Sequence, residues 1–291
     1  MIDLVKGNYV RQLGNGANFT VDIDPLPAST DTYFKETLKA AEEIYSRREG
    51  QLHVMYSGGV DSEYALRVFV DLKMDVVPVI IQLSNYNSHD TAYAFKFCQQ
   101  HNLTPKVIDI DFDQFVISGQ MVTIAKQIKS SVYHRSATVY AAGQLDGTVL
   151  FGDGEPYIKL NTDTNVWQVL MEEHEFSMGN YFKQQGIHGT PYFNSYTPAM
   201  MSAFFNCTRM KELAEHVHPG KLGSNSSKQI IYNTDNNFNL EARPKYHGYE
   251  TIETSDIFKH DEFKEFELLK EQYGGIYRED YFTFIKRLCI Q

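Results

Sequence analysis

Six consecutive residues, Ser57-Gly58-Gly59-Val60-Asp61-Ser62, set two glycines, two hydroxyls and a carboxylate between an apolar run and a helical pattern. The apolar run is His53–Tyr56, and the helix begins near Val60 with Ala65, Leu66, Val68 and Phe69 inward. Glycines let the main chain bend tightly and approach a ligand closely, while Ser57 and Ser62 supply hydroxyl donors. The opening amides of a helix carry its positive dipole end, so a loop of this kind is an anion cradle. No Gly-Lys-Ser/Thr follows, so this is not a Walker loop; Asp61 occupies the cradle in place of a lysine. A carboxylate beside phosphates is repulsive unless a divalent cation lies between them, which points to Mg2+ bridging Asp61 and a polyphosphate. The bland alternative is a turn and a capped helix, with Ser57 as cap and Asp61 favouring the N-terminus. A string with five such fixed positions recurs by chance on the order of once in a few thousand chains of this length, which favours the ligand.

The elements that must carry this loop alternate. Asp75–Leu83 is a near-continuous Val/Ile run, the mark of a strand covered on both faces. Asp90–His101 reads as a helix, Lys106–Phe112 as a third strand, Phe115–Ile128 and His134–Leu145 as helices, and Thr148–Gly152 as a fourth strand. Strands separated by helices need right-handed crossovers and make a parallel sheet with helices on both faces. Upstream, residues 1–28 suggest an edge strand or hairpin, and a helix follows with Ser29, Thr30 or Asp31 as cap. Downstream, Tyr157–Leu160 and Val166–Leu170 suggest a hairpin, and helices are expected near Phe176–Gln185, from Thr197-Pro198, and over Asp256–Tyr273 and Glu279–Leu288. Gly186–Tyr196 and Gly220–Asn239 read as loops. The expected organisation is residues 1–50 as an extension and leading helix, 51–155 as an α/β domain, and 156–291 as a mainly helical part packed on it.

Composition narrows the field. With 27 Lys+Arg against 37 Asp+Glu the formal net charge is −10, which repels phosphate backbones at long range and disfavours a nucleic-acid partner. Aromatics reach 13% but lack the interleaved basic residues of an RNA platform. Cys98, Cys207 and Cys289 show no CxxC spacing, which excludes a disulfide scaffold and a four-sulfur zinc site. The opening MIDLVKGNYV lacks a basic-then-apolar leader, and the longest apolar stretch, Val76–Leu83, is too short to span a bilayer. A cytoplasmic protein is the expectation.

SGGVDS resembles the pyrophosphate loop of the N-type ATP pyrophosphatases, among them asparagine, β-lactam, argininosuccinate, NAD and GMP synthetases and the tRNA thiolation and lysidine enzymes. Two further segments are similar to the asparagine synthetase branch: TVLFGDGEPY (148–157) and ARPKYHGY (242–249). The three occur in the family's order over about 200 residues. The resemblance implies a five-stranded parallel sheet and cleavage of ATP between its α and β phosphates. A carboxylate or carbonyl oxygen is adenylated, and a nucleophile then displaces AMP. It implies that Asp61, Asp153 and Glu155 hold Mg2+, and that Lys245, with Arg243 and Glu155, serves the adenylating transition state. Tyr56, Ser57, Gly58, Gly59, Val60, Asp61, Ser62 and Gly152 would bind ATP, with the adenine against the main chain of Tyr56, Ile81 and Gln82, since open α/β sheets bind ligands at their carboxyl edges. The branch usually carries an Asp-Glu pair where this chain has Glu155-Pro156-Tyr157, and residue 2 is isoleucine where a glutaminase domain has its cysteine. Ammonia or an amine is therefore the expected nucleophile, joined to a small acid or amide. Two rivals are a tRNA-modifying enzyme and a nucleotide-binding module without turnover.

Other features rank lower. His216-Val-His218 suits a helix end before Pro219 better than a metal pair. Cys98 and Cys207 read as buried and inert. Lys126, Lys129 and Arg135 cluster at a helix junction where a phosphate or water would serve equally.

Overall fold

Alternating side chains decide which face of a strand is buried, and in the inner strands of the main sheet both faces are. In the computed structural model, which describes residues 9–12, 20–23, 27, 30–154, 157–172, 178–215, 224–241 and 250–289, the chain opens with an antiparallel hairpin. It pairs β1 (Tyr9–Gln12) with β2 (Thr20–Ile23). The first helix, α1 (Tyr33–Ser46), is capped by Thr32, whose Oγ1 accepts from the Lys35 N–H. The cap thus falls one residue beyond the expected set, because the Asp31 carboxylate is taken by Lys35 and Lys39.

The alternating region follows: β3 (Leu52–Met55), α2 (Val60–Asp71), β4 (Val76–Leu83), α3 (Ser88–Gln100) and β5 (Lys106–Ile110). The helix expected over 115–128 is two helices, α4 (Phe112–Ile117) and α5 (Gln120–Ile128), broken where Gly119 turns left-handed at φ +72°. Then come α6 (Tyr133–Ala142), β6 (Thr148–Phe151), β7 (Tyr157–Asn161), β8 (Val166–Glu172), α7 (Met178–Gln185) and β9 (His188–Thr190). The chain continues through α8 (Pro198–Phe205), α9 (Thr208–Glu215), α10 (Ser224–Tyr232), α11 (Glu250–Glu253) and α12 (Asp261–Tyr273). It closes with β10 (Ile276–Asp280) and α13 (Tyr281–Cys289).

The main sheet has five parallel strands in the order β5-β4-β3-β6-β9. Leu52, Val54, Tyr56, Ile80 and Leu150 enter one core with Leu66 and Phe69 of α2; Met55, Val79, Val149 and Phe151 enter a second with Ile124 of α5 and Val139 of α6. This is the α/β class the pattern implies, with a mainly helical C-terminal part.

Three elements depart from expectation. The fifth strand, β9, lies in the segment read as a loop; His-Gly-Thr is three residues with a glycine, too short to alternate. It pairs with β6, so the sheet draws a strand from beyond residue 155 and the two expected parts share it. The Gly274–Gly275 link leads into β10, not directly into a helix. β10 joins β8 and β7 in a three-stranded antiparallel sheet, with Ile276 exposed at its edge. The polar stretch after Gly220 contains α10: Ser and Asn dominate its first turn, and its apolar residues, Ile230, Ile231 and Tyr232, come only at its end. No described helix is long and apolar enough to cross a membrane.

Candidate functional site

The Tyr56 N–H still donates to the Val79 carbonyl at 2.8 Å, so the strand geometry of β3 holds to the edge of the loop. The chain then turns at Gly58, with φ +86°. A Cβ there would stand 2.6 Å from the Asp90 carbonyl oxygen, so the first turn of α3 closes directly over the loop. Gly59 is the extended N-cap of α2 and lends no side chain. The serine hydroxyls serve the loop itself. Ser62 Oγ donates to the Gly59 carbonyl at 3.1 Å and accepts from the Ser57 N–H at 3.3 Å, with the Ser57 Oγ 3.1 Å away. Ser57 Oγ accepts from the Gly59 N–H at 3.3 Å rather than capping the helix from its N-cap position. Among the described residues the amides of Val60, Asp61 and Ser62 meet no acceptor, as expected for an opening turn. The loop is braced by its own serines, and these three amides are left without an acceptor among the described residues.

Asp61 is held from the other half of the chain. Lys228 of α10, buried at 3% exposure, places Nζ 3.2 Å from Asp61 Oδ2, and the Tyr232 hydroxyl donates to Oδ1 at 3.0 Å. Asn194 Nδ2 donates to the Gly152 carbonyl at 2.6 Å and lies 3.2 Å from the Tyr232 hydroxyl. Its backbone N–H donates to the Asp153 carbonyl. The Tyr232 ring stacks on Tyr64 of α2 at 4.4 Å between centroids, which fixes the hydroxyl. Gly152 is required by the same contact: a Cβ there would lie 2.7 Å from the Asp61 carbonyl oxygen. The tip of β6 and the first turn of α2 therefore touch through their backbones.

Beside the loop lies a cavity of about 230 Å³ at the carboxyl ends of β3, β4 and β6. The chain leaves β3 toward β4 on one side and reaches β6 on the other, so the cavity sits at the topological switch point, where ligands enter open α/β sheets. Met55, Val79 and Phe151 form its apolar floor, and Ser57, Ser62, Gly152 and Asp153 line one wall. Asp90 and Thr91 of α3 and His134 and Arg135 of α6 line it as well. The buried Arg135 guanidinium approaches Asp153 Oδ2 at 3.6 Å and Met178 Sδ at 3.5 Å. Burial raises the Asp90 carboxyl above the ordinary range; His89 opposes the shift and Glu250 adds to it.

Of the residues expected at the site, Tyr56, Ser57, Ser62, Ile81, Gly152 and Asp153 line the cavity, and Gly58, Gly59, Val60 and Asp61 form the loop beside it. Gln82 does not line it. Main-chain groups of a parallel strand alternate between its two neighbours. Val79 accepts from Tyr56 on the β3 side and Ser84 donates to Ile110 on the β5 side, so Ile81 and Leu83 face the cavity and Gln82 faces β5. Glu155, Arg243 and Lys245, like His216 and His218, lie outside the described residues. The described residues contain no group of three metal-ligating side chains. Asp153 lines the cavity, and Asp61 stands in the loop beside it with its two carboxylate oxygens engaged by Lys228 and Tyr232. Lys228, Tyr232, Asn194, His134 and Asp90 were not expected here, and Arg135 had no assigned role. Lys126 of α5 pairs with Glu265 on the surface instead. Cys98 and Cys207 are buried free thiols.

No protein-family model matches the chain, and no curated protein does.

Proposed function

We propose that the chain binds ATP across the Ser57–Ser62 loop and the adjoining cavity and uses it to adenylate a small carboxylate or amide oxygen. Ammonia or an amine then displaces AMP. One observation carries this reading: a glycine loop with three helix amides that meet no acceptor among the described residues, two serines and an aspartate lies beside a cavity at the switch point of a parallel sheet.

The cavity, small among ligand sites, takes base and sugar, with adenine along Ile81 and Leu83 at the edge of β4. The triphosphate runs over the amides of Val60, Asp61 and Ser62. The acceptor oxygen attacks the α-phosphorus as the bond to the β-phosphate breaks, and pyrophosphate leaves with added negative charge. Donors aimed at that charge help most in the transition state. Arg135, which lines the cavity, is proposed to meet the α-phosphate, and Lys245, Arg243 and Glu155 are proposed to act on the leaving group. Asp61 and Asp153 would hold Mg2+, which neutralises charge on the phosphates when bound. Lys228 keeps the Asp61 carboxylate in position and lowers its repulsion toward them.

The test is pyrophosphate release from ATP that depends on both an added acid and ammonia. Wild-type protein should release it and Asp61→Ala should lose at least about tenfold. No release over a broad acid panel, with the two proteins equal, rejects the proposal. A second reading, a nucleotide-binding module without turnover, draws support from Asp61 being engaged already by Lys228 and Tyr232. ATP binding by calorimetry without release under any substrate would favour it.

A further inference from the structure

Asn87 occupies the N-cap of α3, a position where asparagine ordinarily accepts from a first-turn N–H, yet it makes no capping bond. Its carboxamide turns back onto β4. Nδ2 donates to the Ile81 carbonyl at 2.9 Å, and Oδ1 accepts from the Leu83 N–H at 2.9 Å. A carbonyl only accepts and an N–H only donates, so the orientation of the amide is fixed by its partners. Both main-chain groups belong to the part of β4 that runs past β3, whose last bond to β4 is made by Tyr56. Ile81, Leu83 and Asn87 all line the cavity.

The chemistry of this edge is specific. It offers one acceptor and one donor, two residues apart, to whatever enters. Adenine carries a matching pair, the N6 amino donor and the N1 acceptor, joined through one trigonal carbon; a primary amide carries the same pair through its own. Guanine presents an O6 acceptor and an N1–H donor, the reverse polarity, which would set oxygen against the Ile81 carbonyl and N–H against N–H.

We propose that Asn87 is a base-specificity latch: its carboxamide competes with adenine for the Ile81–Leu83 pair, and adenine binds by displacing it. The released side chain is then placed to cap α3, which offsets part of the cost. The proposal rests on the ATP reading but concerns the base alone, so the two are separable by experiment.

Calorimetric titrations of the full chain with adenosine, ATP and GTP should compare wild type, Asn87→Ala and Asn87→Ser. Serine retains a capping side chain for α3 but is too short to bridge the pair, so it guards against a folding defect in the alanine variant. With the competitor gone, both variants should bind adenosine and ATP about tenfold more tightly. GTP should remain at least about a hundredfold weaker than ATP in all three. If ATP binds the wild type but neither variant gains, the latch is wrong and the ATP site stands. If adenosine binding tightens while ATP binds no better than adenosine, the latch holds and the loop loses its phosphate role. Absence of binding by any ligand overturns both.

Discussion

Gly58 and Gly152 are each approached by a different stretch of backbone, and that is why neither position tolerates a side chain. At Gly58 the positive φ and the Asp90 carbonyl act together; at Gly152 the close approach of Asp61 acts alone. Either alanine substitution should cost about 2 kcal/mol in denaturant unfolding and abolish nucleotide binding measured by calorimetry. Gly186 is the control. It has φ +66° but open space around it, so Gly186→Ala should cost only about 1 kcal/mol and leave binding intact. A loss at Gly186 equal to that at Gly58 would mean that backbone conformation, not the crowded loop, decides the outcome at Gly58. The raised Asp90 carboxyl belongs to a residue that lines the cavity, so α3 contributes there a group less readily ionised than an ordinary aspartate.

Among elements, α10 contributes the least foreseeable part of the site. Lys228 is buried while the Asp61 side chain keeps 27% exposure, so the pair is only partly sheltered. Lys228→Met should lower stability by about 1–2 kcal/mol, less than the loss of a fully buried partner. In urea unfolding, Lys228→Met combined with Asp61→Asn should cost less than the two singles together, since each removes the other's partner. Strict additivity would show the contact to be incidental. The loop was legible from sequence because its six residues are contiguous and follow a doubly covered strand. The inner strands β4, β3 and β6 were legible because they are apolar and buried on both faces, and the edge strand β5 because its residues alternate. β9 and α10 were not. A three-residue strand has no period to detect, and a helix that opens on Ser and Asn with its apolar residues bunched at its end resembles a turn. Asn194, Lys228 and Tyr232 reach Asp61 and Gly152 across long loops of chain, and nothing local in their neighbourhoods marks that convergence. Gln82 was off by one residue, and in a strand one residue means the opposite neighbour.

Across the whole molecule, pH acts through buried histidine as well as through the net charge of −10. Desolvation holds His53 below its ordinary 6.5, opposed by its bond to the Asp146 carbonyl. The unfolded chain then binds a proton more readily than the folded one, so the stability linked to this group is full above 6.5 and is lost as pH falls through the depressed value. Melting temperatures from about pH 7.5 down to about pH 5 should decline, and His53→Gln, which keeps a donor near Asp146, should flatten the decline. An unchanged slope would shift the effect to other groups. The placement of β9 has a consequence for how the protein is made. A ribosome adds about 5–20 residues each second, so for a few seconds after β6 emerges the nascent sheet waits one strand short. Throughout that interval β6 shows newly synthesised neighbours a row of unsatisfied amides and carbonyls, and the cell must keep crowded polysomes from zipping it to the wrong chain.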